Sequence, residues 1–299
     1  MPYTEIKKQG EKKYYYRVKS VREGHKIKKV RKYLGADLSG RRLTEAEEHA
    51  DRELIFLRNV LNDTEVAFLD EVRKNFSRQP KENVENRYEV FCAQFTYDSN
   101  AIEGNTLTLR ETAYLLFESI VPAKSLREIH EALNHKNALD FLLRYKENIT
   151  KKLICALHAL VVKDTLKPSL TKEIGRYRSV QVYIRGVEII PPKPKEVAQE
   201  MKLLLAWYSL NKKKVHPFVV AAYFHIVFEA IHPFVDGNGR VGRLLMNFIL
   251  HKNGFPMINI PHARRIEYYN ALHAAQSQQN FRPFVELLLD ILNKKEMMF

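Results

Sequence analysis

The feature that most constrains the fold of this chain is the segment His232–Arg243, which reads HPFVDGNGRVGR. Apolar, helix-compatible runs flank it at 217–231 and 244–250. The segment is therefore predicted to be a short loop between two helices. Gly237 and Gly239 allow the backbone to turn several N–H groups toward one point, as in an anion-binding nest. We expect an anionic ligand to bind there.

The other side chains of this loop suit phosphorus chemistry. The second helix, expected to begin near Arg240, would direct its positive end toward the same point. Arg240 and Arg243 are three residues apart, so they can share a helix face and bind successive phosphate groups. Asp236 provides the hard oxygen ligand that Mg²⁺ prefers, and His232 can take up a proton near neutral pH. These residue types indicate the transfer of part of a nucleotide to a hydroxyl group.

The segment resembles the signature of Fic-domain proteins, HPFx(D/E)GNGRxxR, at every fixed position. The resemblance implies a helical fold and transfer of AMP from ATP to a hydroxyl side chain of a target protein. It implies that His232 is the general base, that Asp236 holds Mg²⁺ and that Arg243 holds the γ-phosphate. The residues that would surround the phosphates are Gly237, Asn238, Gly239 and Arg240. A branch similar to the Doc toxins phosphorylates instead and departs from this glycine pattern.

A second segment, 99–104 (SNAIEG), ends an apolar-periodic helix, with Gly104 expected just beyond the last turn. The helix dipole disfavours a carboxylate at this end, so Glu103 requires a compensating cation elsewhere. The segment resembles the Fic inhibitory motif (S/T)xxxE(G/N), with Ser99 and Glu103 at fixed positions. The resemblance implies that Glu103 pairs with Arg243, displaces the γ-phosphate and holds ATP in an unproductive pose.

Residues 179–190 (SVQVYIRGVEII) are predicted to form a small β-hairpin that turns at Gly186. Fic proteins carry a flap at this place that clamps the target, and a strand edge can bind any backbone. Tyr183 and Ile184 are therefore expected to contact nucleotide or target. An ordinary surface hairpin is the alternative.

A later helix, which contains Tyr268 and Tyr269, is similar to the family helix that lines the adenine side. By that comparison Tyr268 would contact the base. Gln276, where relatives often have Asn, would meet the ribose or the base edge. Aromatic pairs on helices are also common in protein cores, so a purely structural role is the alternative for Tyr268.

The N-terminal segment is the most basic part of the chain. Residues 1–42 contain fourteen Lys or Arg and four Asp or Glu, which gives +10 of the total net charge of +14. The stretches 14–21 and 26–34 are rich in β-branched and aromatic residues and flank Gly24, which predicts a β-hairpin. Basic residues beside consecutive tyrosines suggest a ribbon that binds nucleic acid, and a solvated ribbon packed on the main domain is the alternative.

Helix-start signals recur after residue 42, including capping boxes at Thr44–Glu47, Thr108–Glu111 and Ser125–Glu128. The fold is therefore predicted to be mainly α, a Fic-type helical bundle with a small β-hairpin flap and a basic N-terminal β-hairpin extension. Three regions are expected: the extension at 1–42, a helical linker region at 43–82, and the Fic domain with its inhibitory helix at 83–299.

The N-terminus lacks the apolar core of a secretion signal, and no apolar run reaches membrane-spanning length. We therefore expect a cytoplasmic protein without a membrane partner. The predicted function is an autoinhibited protein adenylyltransferase with ATP as substrate and Mg²⁺ as cofactor. Its partner would be a protein with a Ser, Thr or Tyr hydroxyl, held by the flap, and self-modification and a homodimer are left open. Two alternatives are a de-AMPylase that uses Glu103 and a nucleic-acid-binding regulator with a quiescent Fic core.

Overall fold

The structure, a computed structural model, describes residues 3–23, 26–51, 60–80, 82, 84–184, 189–278 and 280–294. A small β-sheet comes first in the chain, and helices follow. The elements are β1 (Tyr3–Gln9), β2 (Lys12–Glu23), β3 (Lys26–Ala36), α1 (Gly40–Asp51), α2 (Asp63–Ser77), α3 (Val84–Ile102), α4 (Leu109–Phe117), α5 (Leu126–Arg144), α6 (Lys151–Val161), α7 (Pro194–Asn211), α8 (Pro217–Ile231), α9 (Asn238–Lys252), α10 (Arg265–Gln278) and α11 (Arg282–Asn293). None of these helices combines the length and the apolar character needed to span a membrane.

Helices α8 and α9 form the centre of the bundle, and the loop predicted from the sequence joins them. Most of their side chains are buried, including Phe224 and Phe228 on α8 and Leu245 and Ile249 on α9. A helix with neighbours on all sides needs an apolar surface all round, which explains why the sequence of α8 is almost entirely apolar. Each buried side chain of this size stabilises the fold by about 1.5–3 kcal/mol. The loop is therefore attached at both ends to the buried centre of the bundle.

Two of the three capping boxes predicted from the sequence are confirmed. The capping boxes at Thr108 and Ser125 are both formed, and the Thr108 hydroxyl accepts a hydrogen bond from the Glu111 N–H at 3.2 Å. The capping box predicted at Thr44 is wrong, because α1 begins at Gly40. The Glu47 carboxylate instead accepts a hydrogen bond from the Thr4 hydroxyl on β1, so a tertiary contact replaces the local one.

The N-terminal extension is a three-stranded antiparallel sheet in the order β1-β2-β3, not the two-stranded hairpin expected. β1 pairs with β2 from Tyr3 opposite Val18 to Gln9 opposite Lys12. The sequence of β1 gave a weak signal because charged residues occupy both of its faces. Gly24 lies outside the described residues. The domain boundary at residue 42 stays a prediction, and α1 crosses it.

Candidate active site

The loop between α8 and α9 begins with a strained residue. His232 caps the end of α8 with φ 49° and ψ 62°, in the left-handed region that costs a non-glycine residue about 1–2 kcal/mol. The buried Arg178 holds this conformation, since its Nε donates to the His232 carbonyl at 2.8 Å and its backbone N–H donates to the Pro233 carbonyl at 2.9 Å. Arg178 ends the segment 175–178 (GRYR), for which no role was predicted from the sequence.

The His232 imidazole is placed to accept a proton through its outer nitrogen. Nδ1 lies 3.3 Å from the Glu229 carbonyl oxygen, so a proton on Nδ1 can be donated to that oxygen. The lone pair is then on Nε2. Burial lowers the pKa of His232 below its ordinary value, while the Glu229 carbonyl opposes the shift. The ring is therefore neutral, and able to act as a base, at neutral pH.

Glu229 is a second titratable group beside His232, and the sequence analysis missed it. Its Oε2 lies 3.9 Å from Nδ1 of His232. Its Oε1 has no hydrogen-bond partner among the described residues, and a Cβ on Gly242 would lie only 2.4 Å from that oxygen. Burial, reinforced by the Glu103 charge, raises the pKa of Glu229 to about 8. One acidic residue in an otherwise apolar helix was the signal that could have revealed it.

We expect Glu229→Gln to stabilise the protein at pH 8 and to leave its stability at pH 4.5 nearly unchanged. A buried carboxyl with a raised pKa stabilises the fold only while protonated. Stability is therefore lost as the pH rises from the unfolded pKa, ordinarily near 4.5, through the folded value of about 8. Over this range the free energy of unfolding falls by about 1.4 kcal/mol per pH unit. Denaturant unfolding at both pH values tests this against Glu71→Gln, an exposed control on α2, and equal gains at both pH values would contradict it.

The start of α9 has the geometry of an anion site. Its N-cap is Gly237, at φ 77°, and no side chain caps the helix, so first-turn N–H groups are available to a ligand. A Cβ on Gly237 would lie 2.8 Å from Val162, so the close approach as well as the φ angle requires glycine here. The Asn238 side chain bonds both the N–H and the C=O of Phe234 at 2.9 Å. Asn238 thus braces the loop, and its backbone faces the site.

Arg243, on α9, forms hydrogen bonds through all three nitrogens of its guanidinium. Its side chain is 1% exposed. Nε donates to the Ser99 hydroxyl at 3.0 Å, and Nη2 donates to the Ser99 carbonyl at 2.7 Å and to Glu103 Oε1 at 2.8 Å. Burial alone would lower the pKa of Arg243, but the Glu103 carboxylate raises it above the ordinary value. Ser99 and Glu103 together therefore hold a charged guanidinium at the α3–α9 contact.

The Glu103 carboxylate lies in the anion site itself. A Cβ on Gly239 would be 2.1 Å from Glu103 Oε1 and 2.9 Å from Nη1 of Arg243, so only glycine leaves room for the carboxylate there. The positive end of α9 and Arg243 offset the unfavourable position of Glu103 at the end of α3. The cation that the sequence analysis required for Glu103 is thus present. The regulatory role of the pair stays a prediction.

Asp236 and Arg240 complete the loop. Asp236 Oδ1 accepts from the Gly237 N–H at 2.6 Å and from Arg240 Nη2 at 3.3 Å. Arg240 is 1% exposed, and its Nε and Nη1 have no hydrogen-bond partner among the described residues. Buried donors left unpaired are costly, which indicates that a ligand completes them. Glu131 lies 3.6 Å from Nη1 and balances part of the charge.

Arg127 on α5 is a further site residue that sequence reasoning missed. Its Nη2 donates to Asp236 Oδ2 at 3.2 Å, across a separation of 109 positions in the chain. Its side chain is 56% exposed, so it can turn away and leave Oδ2 open. Among the described residues, no group of three or more His, Cys, Asp or Glu side chains could hold a metal ion. A metal ion at Asp236 would therefore take its other ligands from substrate and water.

Tyr268, predicted to contact a base, is a buried residue in the structure, and its predicted role stays a prediction. Tyr268 is 1% exposed, and its hydroxyl lies 2.8 Å from His225 Nε2 and 3.4 Å from Arg243 Nη1, so the ring belongs to the core behind the site. Tyr269 is 44% exposed, and its hydroxyl donates to the Ile102 carbonyl at 3.1 Å, next to Glu103. Gln276 is half-buried, with its amide 3.5 Å from the Ile226 carbonyl. Tyr269 therefore presents an accessible aromatic ring near Glu103.

The described parts of the predicted flap, 179–184 and 189–190, contain no β-strand. The expected turn at Gly186 falls in 185–188, outside the described residues. Side chains join the two arms instead: Gln181 Nε2 donates to the Pro191 carbonyl at 3.0 Å, and Arg178 bonds the carbonyls of Val180 and Pro192. Prolines on the return arm lack the N–H that a strand ladder needs.

Of the two residues predicted to make contacts from the flap, Tyr183 is 75% exposed and Ile184 is partly buried. Neither has a hydrogen bond to the α8–α9 loop among those described. Their predicted roles are therefore not tested by the geometry. A side chain as exposed as Tyr183 is free to meet a partner.

Comparison with known proteins gives concordant results. Residues 148–250 match the Fic/DOC family. The protein adenylyltransferase Fic of Nematostella vectensis is 39% identical over 201 residues, which are 65% of this chain and 45% of that protein. The protein of the same name from Drosophila grimshawi is 36% identical over 241 residues, 78% of this chain and 48% of that protein. The chain thus spans about half the length of these curated relatives.

Two solved structures have a similar fold. A fragment of Fic-1 from C. elegans is 31% identical with a TM-score of 0.64, and the alignment covers 83% of this chain and 70% of that one. A Fic-domain-containing signaling protein from Bacteroides thetaiotaomicron is 29% identical with a TM-score of 0.69, and the alignment covers 77% of this chain and 94% of that one. The segment that matches the Fic/DOC family, residues 148–250, contains the α8–α9 loop.

Proposed function

Because the chain belongs to the Fic/DOC family, we propose that it is a protein adenylyltransferase held inactive by Glu103. The observation that carries this proposal is the position of Glu103 Oε1, over Gly239 and 2.8 Å from Arg243 Nη2. A carboxylate there uses the charge complementarity that a phosphate would use. The names of the relatives from Nematostella vectensis and Drosophila grimshawi support AMP transfer as the reaction.

The proposed reaction follows from the atoms available in the loop. Nε2 of His232 removes the proton from a target hydroxyl as its oxygen attacks the α-phosphorus of ATP. The bond from the α-phosphorus to the bridging oxygen breaks, and pyrophosphate leaves with that electron pair. The start of α9 and the guanidinium groups of Arg240 and Arg243 would bind the phosphates, and such fixed charges supply most of the catalysis in phosphorus transfer.

Magnesium fits this site through one protein ligand. Asp236 Oδ2 becomes open when the exposed Arg127 turns away, and a hard carboxylate oxygen suits the ion. Bound magnesium would neutralise charge on the phosphates and on the departing pyrophosphate. Arg127 and Arg240 both form ion pairs with the Asp236 carboxylate and balance its charge.

We expect Asp236→Ala to raise the magnesium concentration needed for half-maximal transfer by about 10- to 100-fold. The reason is the loss of the Asp236 carboxylate, which is the proposed protein ligand of the ion. Initial transfer rates over a magnesium titration measure the effect, with Asp70→Ala, exposed on α2, as a control. Transfer that persists at full rate after chelation of divalent ions would remove the metal, and this role of Asp236, from the mechanism.

For the target protein, we propose that the flap at 179–190 holds the segment that is modified. The exposed Tyr183 supports this, as does the attachment of the flap arms to His232 through Arg178. These hydrogen bonds would limit how far a bound target segment can move from the His232 imidazole. Self-modification uses the same geometry with a hydroxyl of this chain or of a second copy.

Incubation of the Glu103→Gly variant with ATP and magnesium, alone and with cell extract, tests the proposed function. Mass spectrometry should find AMP on Ser, Thr or Tyr side chains of this protein or of an extract protein. Addition of phosphate instead of AMP would place the chain with kinases, and absence of any adduct would contradict the proposal. Release of AMP from a pre-labelled target by the wild type would favour the reverse reaction, with Glu103 positioning water.

A further inference from the structure

The N-terminal sheet has two chemically different faces. Side chains alternate along a strand, so Arg17 and its cross-strand neighbour Thr4 lie on one face. That face meets α1, because Arg17 donates to both oxygens of Asp51, at 2.8 and 2.6 Å, and Thr4 donates to Glu47. The salt bridges and α1 together cover the part of this face around Thr4 and Arg17.

The opposite face carries tyrosines and cations around the buried Val18, and the tyrosines and lysines that it presents are named the tyrosine face. Its members are Tyr3, Tyr14, Tyr16, Tyr33, Lys7 and Lys29. The Tyr33 ring lies 6.3 Å from the Tyr14 ring and 5.4 Å from the Tyr16 ring, measured between centroids. The Lys7 ammonium lies 5.6 Å from the Tyr16 ring, and the Lys29 ammonium 6.0 Å from the Tyr3 ring. Rings and positive charges thus alternate over one surface.

This surface is open to a partner. Tyr33 is 50% exposed and Tyr3 is 43% exposed, and Lys7 and Lys29 are both exposed. The exposed Lys12, at the start of β2, lies on the same face and extends the positive surface. The Glu5 carboxylate, which also lies on this face, forms an ion pair with Arg31 at 2.8 Å. The local field is therefore positive, in agreement with the net charge of +10 over residues 1–42.

We infer that the tyrosine face binds single-stranded nucleic acid, with lysines on the phosphates and unstacked bases on the tyrosine rings. Exposed rings interleaved with cations satisfy both halves of that ligand. A duplex fits less well, because its bases are already stacked and offer no open face to a tyrosine. An acidic peptide would use the lysines and leave the rings without a function. This inference concerns a surface separate from the loop at 232–243 and does not depend on the proposed activity.

Fluorescence anisotropy of the full chain with a labelled oligothymidylate tests the inference. Affinity should fall as salt rises, because phosphate contacts release counterions. It should exceed the affinity for a duplex of equal length, and a polyglutamate peptide should compete poorly. No binding, equal or tighter binding of the duplex, or efficient competition by polyglutamate would each overturn the inference.

Matched variants locate the binding surface. Tyr33→Ala should weaken binding by about tenfold or more, whereas Tyr33→Phe retains the ring and should bind normally. Tyr114→Ala, on α4, is the control for loss of an exposed tyrosine. Lys7→Glu/Lys29→Glu should weaken binding far more than Lys195→Glu/Lys202→Glu on α7, a double variant of identical net charge. Equal losses of affinity in the two double lysine variants would show that net charge alone attracts the oligonucleotide.

Discussion

His232→Ala, introduced into the Glu103→Gly variant, should lower AMP transfer by about 100- to 10,000-fold and leave ATP affinity nearly unchanged. The expectation rests on the neutral imidazole, whose Nδ1 faces the Glu229 carbonyl at 3.3 Å and leaves Nε2 to accept the target proton. The His232→Ala variant keeps the N–H groups of α9 and the two arginines that would bind phosphates. Loss of the base should therefore appear in the rate and not in binding.

Initial labelling rates and calorimetric ATP titrations separate these two effects. His273→Ala, exposed on α10, is the control for removal of an imidazole. The left-handed backbone at His232 adds a second check, since Asn tolerates this conformation better than Ala does. His232→Asn should thus retain the fold and still lack transfer. A near-normal rate in either His232 variant would show that another group removes the proton.

Glu103→Gly should raise labelling by at least about tenfold over the wild type. A hydrogen bond to a charged group contributes about 1.5–3 kcal/mol, and 1.4 kcal/mol corresponds to a factor of ten. The change removes the carboxylate over Gly239 and frees Nη2 of Arg243 for a phosphate. Ser99 keeps its two bonds to the guanidinium, so Arg243 should stay in place.

The partner variant distinguishes release of the arginine from mere loosening of the α3–α9 contact. Arg243→Ala also breaks the ion pair, but it removes the group that would bind the phosphate, so it should not activate. The double variant should behave like Arg243→Ala, because a residue that is absent cannot be freed. Activation by Arg243→Ala equal to that of Glu103→Gly would show that Glu103 inhibits without acting through the guanidinium.

Residues close in sequence were the most predictable part of the site. The loop geometry follows from twelve consecutive residues, in which glycine positions, the helix start and the arginine spacing are all local. The pairing of Glu103 with Arg243 spans 140 positions, and it was expected only because a family motif implied it. Arg127, 109 positions from Asp236, had no such motif, and its contact depends on how α5 packs against the loop.

Tyr268 and Tyr269 show how differently two adjacent aromatic residues of one helix can be exposed. Adjacent helical residues point about 100° apart, so one of the two rings must be nearer the core. The buried residues of α10 are Tyr268, Ala271, Leu272 and Ala275, and this spacing is typical of a buried helix face. That spacing was readable in the sequence. Ile266, which is 69% exposed, blurred the pattern because it adds an apolar residue to the open face.

The measurement that tests the central claim most directly uses ATP labelled at either the α- or the γ-phosphate. Wild type, Glu103→Gly and Glu103→Gly/His232→Ala are incubated in parallel with magnesium and cell extract. The account predicts that α-label is transferred to protein hydroxyl groups by Glu103→Gly, weakly by the wild type and not by the double variant, and that γ-label is never transferred. Transfer of γ-label, or equal α-labelling with and without His232, would contradict it.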